Sequence, residues 1–138
     1  MTTHAADMTA FLDSNIVLYA LGDDDEKCRV ATALIEASPW ISTQVINECS
    51  HALRRKLRWS PGKVAEHLSA IVRLVQLADV SISEIRSAWV LAERYGFGHY
   101  ASLIIAAALQ TGSAILYSED MQHGQVIDGR LTLINPFM

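Results

Sequence analysis

Apolar residues recur along this chain in two spacings. Short, nearly unbroken apolar runs at residues 9–12, 40–42, 80–82, 114–117 and 131–134 predict strands buried on both faces. Between them, apolar residues return every three or four positions, the period of a helix with one face turned inward. Ser14 is placed to cap a short first helix, and Ala31, Leu34 and Ile35 mark a second. Residues 44–57 carry Val45, Cys49, Ala52, Leu53 and Leu57 on one face. Ser60 and Pro61 supply a cap and a proline at the first helical position, opening a helix that runs to about residue 76 through Val64, Leu68, Ile71, Val72 and Val75. Ser81 and Glu84 have capping-box spacing ahead of Ile85, Ala88, Trp89 and Ala92. Residues 102–109 are apolar almost all round, which predicts a central, buried helix. Residues 121–130, with their two glycines, read as a loop, and residues 1–8 as a flexible tail.

Strands that alternate with helices predict an α/β fold, with a short central parallel sheet covered on both faces. The length of 138 residues fits a single domain spanning 1–138. In such sheets functional groups collect beyond the carboxyl ends of the strands. No apolar run approaches a membrane span, and no basic segment leads into a long apolar one at the start, so neither a membrane segment nor a secretory signal is expected. The two cysteines, Cys28 and Cys49, form no CxxC pair; free thiols and a cytoplasmic setting follow.

The net charge of −4 argues against a broadly basic nucleic-acid-binding surface. The basic residues are bunched, however. Arg54, Arg55, Lys56 and Arg58 fall in one helical segment, and the first three are candidates for contact with nucleic-acid phosphates. The bland alternative is a solvated helix end with its cations near the C-terminus. The acidic run Asp23-Asp24-Asp25-Glu26 reads as a solvated helix start.

Three other acids stand at the edges of apolar segments. Asp13 closes the first strand, Glu48 lies inside the apolar stripe of its helix, and Asp120 follows the strand at 114–117. Ionised carboxylates are costly to bury unless paired or bound to metal, so three at the mouths of core elements suggest a hard-metal site. Oxygen-only donors select Mg2+ or Mn2+ over zinc. The five histidines show no HExxH or HxxxH spacing; His51 and His67 read as surface residues, and His123 as a loop residue near Asp120. Gly96-Phe97-Gly98 is not a phosphate-binding GxGxxG, and no GxxxxGK[ST] occurs.

Four segments resemble, in order and spacing, the PIN-domain ribonucleases, and within them the VapC-type toxins of type II toxin–antitoxin systems. They are Phe11-Leu12-Asp13-Ser14-Asn15-Ile16-Val17-Leu18-Tyr19, Ile41-Ser42-Thr43-Gln44-Val45-Ile46-Asn47-Glu48, Tyr95-Gly96-Phe97-Gly98-His99-Tyr100-Ala101-Ser102-Leu103-Ile104-Ile105-Ala106-Ala107-Ala108, and Ile115-Leu116-Tyr117-Ser118-Glu119-Asp120-Met121. The resemblance implies a PIN-like α/β/α sandwich, an endoribonuclease that depends on Mg2+ or Mn2+, a homodimer, and a cognate antitoxin. It places the catalytic and metal-binding acids at Asp13, Glu48, residue 101 and Asp120, with Asn15 and Ser118 assisting. The third position is Ala101, in an otherwise matching setting. A missing carboxylate there reads as an inactivated or impaired form of an active parent, by natural lapse or by deliberate substitution.

Two other functions compete. A haloacid-dehalogenase-type phosphatase also begins with an Asp at a strand end, but wants DxD, and here the third residue is Asn15. A non-catalytic protein that binds only RNA or antitoxin would tolerate Ala101 unchanged.

Overall fold

In the computed structural model, residues 9–138 are described, and the expected tail at 1–8 lies outside them. The elements run β1 (Ala10–Leu12), α1 (Ser14–Ala20), α2 (Asp25–Glu36), β2 (Trp40–Ser42), α3 (Thr43–Arg55), α4 (Pro61–Leu74), β3 (Gln76–Ala78), α5 (Ile82–Tyr95), α6 (His99–Gln110), β4 (Ile115–Tyr117), β5 (Val126–Ile127) and β6 (Leu131–Ile134). The strands form one sheet in the order β3-β2-β1-β4-β6-β5, parallel except where β5 meets β6. The expected α/β sandwich is what forms, with six helices flanking the sheet.

Neighbouring strand residues point to opposite faces. Phe11 and Leu12 are both fully buried, so β1 is covered on both sides. Seven consecutive residues of α6, Ser102 to Ala108, are buried, which makes it the central helix that its composition predicted. The capping predictions hold at α4, where Ser60 accepts from the Lys63 amide ahead of Pro61, and at α5, where Ser81 and Glu84 form the capping box. Asp24 caps α2, with Asp25 and Glu26 in its first turn, so the acidic run is a helix start. No helix among the described residues is long and apolar enough to cross a membrane.

Five expectations need correction. Helix α3 stops at Arg55 rather than at residue 57, and Leu57, expected on its apolar face, is exposed. Residues 80–82 are not a strand. The third strand is β3, and α4 stops at Leu74 rather than near residue 76, because Val75 turns extended and the Gln76 amide donates to the Pro39 carbonyl. The backbone N–H of Val80 donates to Thr43 Oγ1 and that of Ser81 to Glu84, which leaves neither for a ladder. The loop at 121–130 contains β5, so the sheet is mixed rather than wholly parallel. Its hairpin turns through Asp128 and Gly129, both with positive φ (51° and 67°), the requirement of a type I′ turn. Finally, Asp13 rather than Ser14 is the N-cap of α1.

Candidate active site

Parallel pairing of β1 with β4 sets Leu12 opposite Tyr117. The residues that follow, Asp13 and Ser118, therefore leave the sheet side by side at its carboxyl end. The Asp13 amide continues the pairing by donating to the Tyr117 carbonyl (3.0 Å). Asp13 is buried, at 6% exposure. Its Oδ1 accepts from the Ser14 amide (2.7 Å) and its Oδ2 from Ser118 Oγ (2.8 Å).

Glu48 reaches the same place from α3. Its Oε1 accepts from Ser14 Oγ (2.9 Å), the hydroxyl that Asp13 relieves of capping duty, and its Oε2 from Gln44 Nε2 (2.9 Å). Asp120, exposed at the loop after β4, accepts from Asn15 Nδ2 (3.1 Å). The same Nδ2 lies 3.4 Å from Ser118 Oγ and 3.5 Å from Asp13 Oδ2. Asn15 is held in this orientation because its Oδ1 accepts from the Glu119 amide (3.2 Å). Three carboxylates from three separate elements are thus joined through Ser14, Asn15 and Ser118.

No cation neutralises them: no salt bridge among the described residues involves Asp13, Glu48 or Asp120. Burial pushes the Asp13 carboxyl above its usual range; the Ser118 and Ser14 hydrogen bonds oppose that, and the charges of Glu48 and Asp120 add to it. An acid raised first by burial and then by neighbouring acids, beside a cleft, is an electrostatic pattern found at functional sites.

Glu48 and Asp120 open onto a cleft of about 890 Å3 that basic and aromatic residues also line. Arg55, Lys56, His51 and Tyr100 line it along with Glu48 and Asp120. Arg54 does not. One residue along a helix is a turn of about 100°, and Arg54 lines a separate groove with Ile46, Val64, Leu68 and Val72. The structure thus brings Arg55 and Lys56, but not Arg54, to the acidic cleft. His123 is also elsewhere: its Nδ1 accepts from the Asn135 amide.

The sequence profile of the PIN domain family matches residues 10–127. The chain belongs to the PIN domain family. No curated protein sequence matches this PIN domain closely. Its fold is similar to that of several solved structures. A toxin–antitoxin complex from Klebsiella pneumoniae superposes with a TM-score of 0.69 at 17% identity, over 93% of this chain and 98% of that one. VapBC2 from Rickettsia felis, bound to a DNA fragment from its promoter, gives 0.68 at 18% identity, over 93% and 100%. VapC20 from Mycobacterium tuberculosis, a sarcin-ricin loop cleaving toxin, gives 0.63 at 17%, over 78% and 87%.

A divalent ion suits this PIN domain's donors in kind, because every acid brings only oxygen and none has a cationic partner. In number the set is short. No three His, Cys, Asp or Glu side chains among the described residues come together as a ready-made metal cluster. Ala101 sits in the first turn of α6, directly after the cleft-lining Tyr100, and brings no oxygen. Reading the sequence missed the bridging role of Ser14 and the cleft positions of Gln44 and His51. The signal was present: Gln44, Glu48, His51 and Arg55 are spaced four, three and four apart, one face of a helix.

Proposed function

We propose that this PIN domain is the toxin of a toxin–antitoxin pair, a VapC-type endoribonuclease acting with Mg2+ or Mn2+, impaired here because residue 101 is alanine. The observation that carries the reading is the convergence of Asp13, Glu48 and Asp120, uncompensated by any cation, at the carboxyl end of the sheet. The solved structures of similar fold include toxin–antitoxin complexes, which supports an antitoxin partner.

Asp13, Asp120 and Glu48 are the residues that would hold the ion, which lowers the pKa of a bound water and offsets charge on the phosphoryl oxygens. Magnesium keeps several waters and needs few protein ligands, so three acids weaken its site rather than abolish it. The chain's own groups do the rest. Ser14 and Ser118 hold Asp13 as an acceptor, Asn15 aims Asp120, and Gln44 with Ser14 fixes Glu48, which binds metal or orients the attacking water. Arg55 and Lys56, which line the same cleft, are the groups that would meet the RNA backbone. Water adds to phosphorus as the bond to the leaving oxygen breaks, and the water's proton passes on to that oxygen.

The test restores the missing acid. The given chain and its Ala101→Asp variant are compared on one RNA and on a small phosphate ester, with and without Mn2+. The variant cleaves RNA at least tenfold faster and leaves the ester intact. Adding Asp13→Asn or Asp120→Asn returns it to background. No gain with Ala101→Asp refutes the nuclease reading, and ester hydrolysis favours a phosphatase.

Ala101 itself supports a second reading, a non-catalytic PIN protein that binds antitoxin or RNA. Binding without cleavage by both chains would favour it. A homodimer is proposed from the exposed apolar side chains of α5, Ile82, Trp89 and Val90. It is not proposed from α4, whose Val64, Leu68 and Ile71 face the chain's own core. A monomer in sedimentation at micromolar concentration refutes it.

A further inference from the structure

Glu119 stands between Ser118, which holds Asp13, and Asp120, yet its own carboxylate takes no part in the acidic cluster. It turns away and meets the ammonium of Lys27, on α2, and the hydroxyl of Tyr19, at the end of α1. Lys27 Nζ also lies 3.2 Å from Tyr19 Oη, 4.6 Å from the centre of the Tyr19 ring and 5.3 Å from that of Phe137. The Tyr19 and Phe137 rings meet edge to face with centres 5.1 Å apart.

Asn15 and Tyr19 are four residues apart, on one face of α1. Glu119 grips both: its amide donates to Asn15 Oδ1, and its side chain accepts from Tyr19. The first contact turns the Asn15 Nδ2 toward Asp120 and Asp13. Lys27 closes the far side of the grip. We propose that Lys27 is a positioning residue of the acidic site: by pinning Glu119 against α1 it sets the angle at which Asn15 presents Asp120. This rests on reading the cluster as the working site.

Both partners of the ion pair keep about a quarter to a third of their side-chain surface in water (30% and 26%). Pairs so exposed contribute little to stability. The contact is therefore expected to govern orientation more than folding, and that difference can be measured.

The test uses the full chain labelled with nitrogen-15. Three variants are compared with it: Lys27→Met, the conservative Lys27→Arg, and Arg29→Met as a control on the same helix, since among the described residues Arg29 pairs with Glu26 alone. Mn2+ affinity is titrated, and the Asn15 side-chain amide resonance is followed without metal. Lys27→Met is expected to shift that resonance and weaken Mn2+ binding at least fivefold, with a melting temperature close to the parent's. Lys27→Arg restores both, and Arg29→Met changes neither. An unmoved Asn15 resonance in Lys27→Met overturns the proposal. So does a variant that loses its fold, because Lys27 would then be structural. If the parent binds no Mn2+ while the resonance still shifts in Lys27→Met and recovers in Lys27→Arg, the positioning role stands and the metal reading fails.

Discussion

Replacing Asp13 with asparagine keeps the shape of a buried side chain and removes its charge. Asp13 Oδ2 and Asp120 Oδ2 lie 3.5 and 3.1 Å from the same Asn15 nitrogen. They are thus at most about 6.6 Å apart, where two unit charges at an effective dielectric near 20 repel by about 2.5 kcal/mol. Ser14 Oγ, 3.4 Å from Asp13 and 2.9 Å from Glu48, gives about 2.6 kcal/mol for the second pair by the same reasoning. Water at the exposed Asp120 and the half-buried Glu48 screens these by about half. Asparagine escapes that repulsion and the desolvation of a charge. It keeps Oδ1 to accept from the Ser14 amide, a bond weakened by about 1 kcal/mol without the charge, but its Nδ2 cannot accept from Ser118 Oγ, which costs about 1 kcal/mol more.

Asp13→Asn should therefore stabilise the metal-free fold at pH 7 by about 0.5 kcal/mol from these interactions and further by the charge desolvation it escapes, a rise of at least about 2 °C in melting temperature for a domain of this size. The pH dependence follows from the direction of the shift. Burial and the neighbouring acids raise the Asp13 carboxyl above 3.8, so the folded state holds its proton more tightly than the unfolded one. The parent then loses stability as pH rises through that window, and the charge penalty is complete only above the raised value. Below 3.8 the acid is neutral in both states and the advantage of asparagine vanishes. Thermal unfolding of both proteins in EDTA from pH 3 to pH 8 measures it. A gap that is constant across this range, or a variant less stable than the parent at pH 7, would refute the reasoning.

Arg55→Gln with Lys56→Gln should lower the slope of log affinity for single-stranded RNA against log salt by about 1.4, while Arg54→Gln leaves it unchanged; an equal loss from Arg54→Gln would remove the cleft from RNA binding. Ser81→Ala should cost about 1 kcal/mol in urea unfolding, because it removes half of the capping box of α5. An unmoved midpoint would show that Glu84 caps the helix alone. Cys49 is fully buried, and burial, with the charges of Glu48 and Asp13, pushes its thiol up. In the folded protein at pH 8 iodoacetamide should modify the partly exposed Cys28 and spare Cys49, as peptide mass mapping would show.

Elements whose ends carry their own chemistry were legible in the sequence. Pro61, the Ser81–Glu84 pair and the apolar α6 each declare themselves without reference to the rest of the chain. The third strand was not legible, because β3 reads Gln-Leu-Ala, a polar and half-exposed edge with no alternation to detect. The apolar Val80 and Ile82 nearby were the stronger local signal, and the capping box overrode it. The Asp128-Gly129 turn was readable and was lost inside a loop whose strands are too short to show a period. At the site the acids were visible because charge at the edge of an apolar run is conspicuous. The hydroxyls and amides that orient them were not: Ser14 and Gln44 acquire their roles only when β1, α1 and α3 meet.

The pairing of β1 with β4 also sets when the site comes into being. Asp13 and Ser118 are joined across 105 residues of chain. While the protein is being made, Asp13, Asn15 and Glu48 emerge early, and β2 can pair with β1, but the other edge of β1 stays open until β4 has left the ribosome. Contacts this distant in sequence form late, after a large loop has closed. Whatever chemistry the cleft performs is withheld from the nascent chain.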